Sequence, residues 1–92
     1  MRIRYFAAAA AAAGVRDETV HLARIAADGG TLDALVRHLA AEHPAPSARN
    51  APTLARVLER SSLLVNGVSA KNPRKPLADS DEVDVLPPFA GG

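Results

Sequence analysis

One stretch of the chain carries a full amphipathic helical stripe, and strand-patterned segments lie on both sides of it. Leu32, Leu35, Val36 and Leu39 recur at i, i+3, i+4 and i+7 behind Thr31, whose hydroxyl can cap a helix N-terminus. Asp28-Gly29-Gly30 turns the chain into this helix, and His38, His43 and Pro44 mark its end. Ahead of it, Ile3 and Tyr5 alternate with Arg2 and Arg4, the period of two that turns one face of a strand inward, and Phe6 closes that strand. Thr19 to Leu22 reads as a second strand with Val20 and Leu22 inward, paired with the first as a hairpin. The alanine run Ala7 to Ala13 between them has high helix propensity. It falls short of the ~12 residues an isolated helix needs, so it reads as a connection with one helical turn at most.

Beyond the helix, Pro44 to Pro52 is a proline-punctuated loop, and Thr53 to Arg60 offers a weaker helical turn through Leu54, Val57 and Leu58. Leu63-Leu64-Val65 is a strand that meets the Asn66-Gly67 turn, with Val68 beyond it. Asn72 to Pro76 is polar and Leu77 to Asp81 is a further turn. Glu82 to Leu86 alternates as a last strand, which Pro87 and Pro88 stop. Strands on either side of one crossover helix predict an α+β roll of β-grasp type, its first and last strands pairing in parallel at the centre of a mixed sheet. Residues 1–88 are expected to form the domain, and residues 89–92 a flexible C-terminal tail.

Composition removes several classes of function. With 92 residues and no cysteine, the chain has no disulfide framework, no cysteine-ligated zinc and no thiolate nucleophile. Of the 48% of residues that are hydrophobic, 20 are alanine, so the larger apolar side chains supply a modest core and no deep, dry cavity. The net charge is +1, with nine Arg and two Lys dispersed along the chain, which gives no footprint for nucleic acid or anionic membrane. The longest apolar run, Ala7 to Ala13, is shorter than the ~20 residues of a membrane span, and the start lacks a secretory signal. A cytoplasmic location is expected.

The tail carries the chemistry. Two prolines end the last strand, and Phe89-Ala90-Gly91-Gly92 projects from it. Without Cβ atoms, the two glycines let a terminal carboxylate reach down a channel too narrow for other residues. That carboxylate is an anion at neutral pH and can attack the α-phosphate of ATP held by a partner enzyme, becoming activated for acyl transfer.

The segments MRIRYFA, TLDALVRHLA, LLVNGV and above all PLADSDEVDVLPPFAGG resemble the MoaD/ThiS family of ubiquitin-like sulfur carriers, in particular its molybdopterin synthase small-subunit branch. The resemblance spans essentially the whole chain. It implies that Gly92 is adenylated by a ubiquitin-activating-like adenylyltransferase, converted to a thiocarboxylate by a sulfurtransferase, and inserted into the large subunit of molybdopterin synthase. There it would give its sulfur to the pterin precursor of the molybdenum cofactor. Gly92 is then the reacting residue, Gly91 gives clearance, and Phe89 and Ala90 thread the partner's channel. No cofactor is bound by the carrier itself, ATP being used by the activating partner, and the catalytic side chains belong to the large subunit. The family docks through an apolar patch on the exposed sheet face, for which Phe6 and Leu86 are the candidates. Ser80 stands where the family usually has glycine, and Ala7 where many members carry a bulky apolar residue.

Three other functions fit the same tail: sulfur donation to the thiamine thiazole or another thiocarboxylate pathway, protein modification through an isopeptide bond from Gly92, and an inert tail on a plain interaction module. The longer middle segment, Pro44 to Arg60, favours the molybdopterin branch over the thiazole one. His21, His38 and His43 match no zinc spacing and lie beside no paired carboxylate in sequence, so they read as solvated or capping residues and no metal site is expected. Asp79, Asp81, Glu82 and Asp84 read as either a solvated turn and strand face or a docking surface for basic partners.

Overall fold

The computed structural model of the chain describes residues 1–46 and 50–88. Strand β1 (Arg2–Tyr5) buries Ile3 and Tyr5 and turns Arg2 and Arg4 outward, as its alternation requires. It runs parallel to β5 (Glu82–Leu86), with Ile3 opposite Val83 and Tyr5 opposite Val85. Strand β2 (Asp17–Thr19) pairs antiparallel with the outer side of β1. On the other side of β5, β3 (Ser62–Val65) is antiparallel and carries the two-residue edge strand β4 (Val68–Ser69). The order β2-β1-β5-β3-β4 is the mixed β-grasp sheet expected from the sequence, with the parallel pair of first and last strands at its centre. Asn66 and Gly67, at φ 52° and 80°, make the tight β3–β4 turn, which needs left-handed backbone at both positions.

Helix α2 (Leu32–Glu42) crosses one face of the sheet. The Thr31 hydroxyl accepts from the Ala34 N–H at 3.3 Å, and Leu32, Ala34, Leu35 and Leu39 are buried, while Val36 lies at the margin of the core. Helix α3 (Leu54–Arg60), capped by Thr53, adds Leu54, Val57 and Leu58 to the same core. All the helices lie over the face that carries Ile3, Tyr5, Val65, Val83 and Val85, which leaves the opposite face of the sheet open.

The structure corrects the sequence reading in three places. The alanine run is a helix, α1 (Ala8–Ala13), ended by Gly14 in the left-handed conformation at φ 77°. The length rule that argued against it applies to isolated helices in water, whereas here Ala9, Ala12 and Ala13 are buried against the core, and packing supplies what length does not. Because α1 lies between them, β1 and β2 are antiparallel neighbours but not a tight hairpin. The second strand sits earlier than Thr19 to Leu22: it pairs at Asp17, Glu18 and Thr19, after which Val20 donates its N–H to Met1 O and the chain turns into two short 3-10 segments, Leu22–Arg24 and Ala26–Asp28. The Met1 amino group donates in turn to Val20 O at 2.7 Å, so Val20 still bonds to the β1 side and the chain leaves the sheet after it, a boundary that alternation in the second strand does not encode. Among the described residues no helix is long and apolar enough to cross a membrane.

Candidate functional site

The open face of the sheet is where the candidate interface residues meet. Tyr5 and Val85 are register partners, and Phe6 N–H donates to Val85 O at 3.2 Å, so Phe6 and Leu86 follow side by side at the end of the parallel pair. Phe6 is 41% exposed and Leu86 is half-buried. Leu64, opposite Asp84 in β3, adds a third apolar side chain to this face. The sequence reading named Phe6 and Leu86 and missed Leu64, which the apolar run Leu63-Leu64-Val65 hid by giving no alternation to read.

Arg4 stands in the middle of this patch. Its Nε donates to Asp84 Oδ1 at 2.6 Å and its Nη2 to Asp84 Oδ2 at 2.8 Å, a bidentate pair, while Nη2 also lies 3.1 Å from Glu82 Oε1. The guanidinium carbon sits 5.8 Å from the centroid of the Phe6 ring, within cation–π range. The hydrogen bond to Asp84, with the charges of Asp84 and Glu82, raises the Arg4 pKa above its ordinary value and keeps the guanidinium charged. Asp84 is only 6% exposed although it faces the open side, and the two Arg4 N–H groups compensate its desolvation. The signal for this pair was present in the sequence, since opposite charges at positions 4 and 84 fall opposite each other once β1 and β5 are paired in parallel.

The four acidic residues near the end of the chain do not act as one cluster. Asp79 Oδ1 accepts the Leu22 N–H at 2.6 Å. Asp81 accepts the Ala78 N–H at 2.8 Å and the Asn66 side-chain amide at 2.9 Å, which lowers its carboxyl pKa, the backbone bond contributing most. Glu82 and Asp84 face Arg4. Two carboxylates hold turns and two hold an arginine; Asp79 is solvent-exposed, as the solvated-turn reading expects, whereas Asp84 is buried.

Exposed His21 and His43, the C-cap residue of α2, fit the solvated and capping roles expected, but two histidines also find carboxylates. His43 Nε2 lies 2.7 Å from Glu18 Oε2, which accepts the Tyr5 hydroxyl at 2.7 Å as well, and His38 Nε2 lies 3.7 Å from Glu42. The Glu18 pairing joins residues far apart in sequence, so spacing could not show it. Burial and the Glu18 carboxylate push the Tyr5 phenol pKa well above its ordinary value, burial being the larger cause. His43 thus ties the end of α2 to the β1–β2 pair, while His21 is exposed. Among the described residues there is no group of three His, Asp or Glu side chains placed to hold a metal ion.

Gly92, expected from the sequence to be the reacting residue, lies with Gly91, Ala90 and Phe89 outside the described residues. What the structure shows is their root. Strand β5 is hydrogen-bonded on both sides, to β1 and to β3, and runs to Leu86 before Pro87 and Pro88. The chain therefore enters its last four residues beside the patch of Phe6, Leu86 and Leu64.

Comparison with known proteins agrees with this architecture. No curated protein sequence matches the chain. Among solved structures, small archaeal modifier protein 1 of Methanosarcina acetivorans superposes with a TM-score of 0.70 at 22% identity, covering 99% of this chain and 94% of that one. The Haloferax volcanii protein of the same name gives 0.67 at 23% identity, covering 100% and 98%. A chain of the complex of subunits 1 and 2 of molybdopterin-converting factor from Helicobacter pylori gives 0.60 at 21% identity, covering 99% and 96%. At these identities the likeness shows the fold, the ubiquitin-like β-grasp shared by MoaD/ThiS-type carriers and small modifiers. A sequence profile decides the family: that of the ThiS family matches residues 3–92, through the final Gly-Gly, and the chain belongs to the ThiS family.

Proposed function

We propose that this chain is a sulfur carrier of the molybdopterin synthase small-subunit type, holding sulfur as a thiocarboxylate at Gly92. The observation that carries the reading is the match to the ThiS family through Gly92, on a sheet whose central strand leads into that terminus beside an open apolar patch. In this role the Gly92 carboxylate attacks the α-phosphate of ATP on an adenylyltransferase and pyrophosphate leaves. A persulfide of a sulfurtransferase then displaces AMP at the carbonyl carbon, and a thiol of that partner cuts the resulting acyl disulfide, being oxidised to a disulfide as the thiocarboxylate is released. Transfer of that sulfur to the pterin precursor in the large subunit regenerates the carboxylate. No group in the carrier has to act as acid or base, in keeping with the Arg4 network, whose charges are satisfied within the sheet.

The patch of Phe6, Leu86 and Leu64 is the surface we assign to docking, with Arg4 as its polar centre. Two observations support the molybdopterin branch. The middle segment folds α3 onto the core, so it is an integral part of the domain, and the fold matches a chain of the complex of molybdopterin-converting factor subunits 1 and 2. The second reading, a protein modifier joined to target lysines through Gly92, is favoured by the likeness to small archaeal modifier protein 1.

Intact-mass analysis of the untagged protein from its own cells, under conditions that preserve thiocarboxylates, separates the two. A fraction heavier by the difference between sulfur and oxygen at Gly92 is expected, and removal of Gly91 and Gly92 should abolish it along with molybdenum-cofactor-dependent growth. Conjugates to other proteins without any thiocarboxylate would establish the modifier. Unchanged growth after the truncation would reject both roles for the tail in this pathway.

A further inference from the structure

Phe6 is an exposed aromatic ring beside the end of β5, and two features of the chain fix where it points. The first lies on the same face of the same strand. Arg4 donates from Nε and Nη2 to the Asp84 carboxylate at 2.6 and 2.8 Å, and Nη2 also lies 3.1 Å from Glu82 Oε1. Asp84 is buried, so the fork that grips it has a fixed seat. The guanidinium held in this way lies 5.8 Å from the centroid of the Phe6 ring.

The second feature is the turn that follows. Phe6 O accepts the Ala9 N–H at 3.0 Å, and Ala7 between them has φ 50° and ψ −125°. These are the angles of the first central residue of a type II′ turn, a position that glycine dominates because a Cβ is strained there. Alanine keeps the conformation because the chain is anchored on both sides. Tyr5 is paired with Val85 in the sheet, and Ala9, Ala12 and Ala13 of α1 are buried in the core. On the β2 side of the ring lies a hollow of ≈ 410 Å³ among Phe6, Ala7, Ala10 and Arg16. The ring has room to swing there unless Arg4 and the turn hold it. An exposed side chain that changes rotamer freely loses that freedom on binding and weakens the complex, whereas one already held has little to lose.

We propose that Phe6 is a pre-set anchor for the partner that receives the tail, and that Arg4 and Ala7 are its positioning residues. The inference rests on the docking surface assigned above and adds what sets its geometry. The partner must offer an apolar pocket for the ring next to its entrance for the tail, because Phe6 and Leu86 lie side by side where β5 ends. The strain at Ala7 has a direction: stability is given up at a position where glycine would fold better, and a fixed ring is what is gained.

The test reads the ring and the complex separately. Three-bond couplings from Phe6 Cγ to its backbone N and C′ should show one χ1 rotamer in the free chain. Arg4→Lys keeps the charge and loses the bidentate fork, and Ala7→Gly removes the strain; each should leave the ring averaging between rotamers. Both variants should dissociate from the molybdopterin synthase large subunit of the same organism roughly three to ten times faster than the parent, and Phe6→Ala should bind about thirtyfold more weakly. The two variants should nevertheless move the melting temperature in opposite directions, Ala7→Gly upward and Arg4→Lys downward, which a role in stability alone does not produce. A parent ring that already averages, dissociation unchanged in either variant, or a lower melting temperature for Ala7→Gly would overturn the proposal. A parent chain that keeps one rotamer but does not bind the large subunit would overturn the docking reading itself, and the anchor role with it.

Discussion

Asp84 is the residue whose environment is least expected from its position: it points to the open side of the sheet and is nonetheless 6% exposed. Arg4 covers it with two charge-assisted bonds at 2.6 and 2.8 Å, and its own stem lies against Phe6. Removing the arginine leaves a carboxylate that is dehydrated but unpaired, which costs more than the pair itself contributes. Arg4→Met should therefore lower the midpoint of urea unfolding, whereas adding Asp84→Leu should recover part of that loss. Purely additive losses would show that the pair is not coupled. Asp81 makes a prediction of the opposite kind, about pH. Its folded-state pKa is depressed by the Ala78 N–H and the Asn66 amide, so it contributes stability above its unfolded pKa of about 3.9 and loses it as pH falls through the lower folded value. Asp81→Asn should cost about 1 kcal/mol at pH 7, and the gap to the parent should close below about pH 4. An equal gap at pH 3 and pH 7 would assign the effect to turn geometry alone.

At the scale of the element, the β3–β4 turn shows how local chemistry and long-range pairing combine. Asn66 is suited to its φ of 52°, and its side chain also donates to Asp81 Oδ1 and accepts the Glu82 N–H, both at 2.9 Å, joining the turn to the start of β5. The two contributions are separable. Asn66→Gly keeps the backbone conformation and loses the side-chain bonds, about 1 kcal/mol, while Asn66→Ala loses the bonds and adds left-handed strain of roughly 1 kcal/mol more. Equal unfolding midpoints for the two variants would deny the strain. The turn itself was legible in the sequence, because Asn-Gly carries its conformation locally, and so were α2, which has a complete stripe and a cap, and β5, which alternates and then meets two prolines. The elements misread were those decided elsewhere in the chain. Helix α1 exists because the core receives Ala9 and Ala12, and β2 is bounded by its register against β1. The same division holds for the site. Phe6 and Leu86 were named through the family resemblance, which points to the exposed sheet face, whereas Arg4 and Asp84 became a pair only through a register between residues 80 positions apart.

For the molecule as a whole, the sheet order places the last strand in the middle. β5 is bonded to β1 on one side and β3 on the other, so the sheet has no centre until residues 82–86 insert between strands whose positions in the sequence lie about sixty residues apart. Stability should be graded accordingly. The buried Val83 and Val85 sit where both neighbours are present, whereas β4 has two residues, one neighbour and an exposed Val68. Native-state hydrogen exchange should find the amides of β5 exchanging only through global unfolding, with free energies in the range of about 5–15 kcal/mol typical of whole domains, and those of β4 opening locally at several kcal/mol less. The arrangement bears on the proposed function: the strand that leads towards Gly92 is held on both edges, which would give the tail a fixed origin for delivery of a terminal atom to a partner's active site. Equal protection of β4 and β5 in the free protein would remove this gradient.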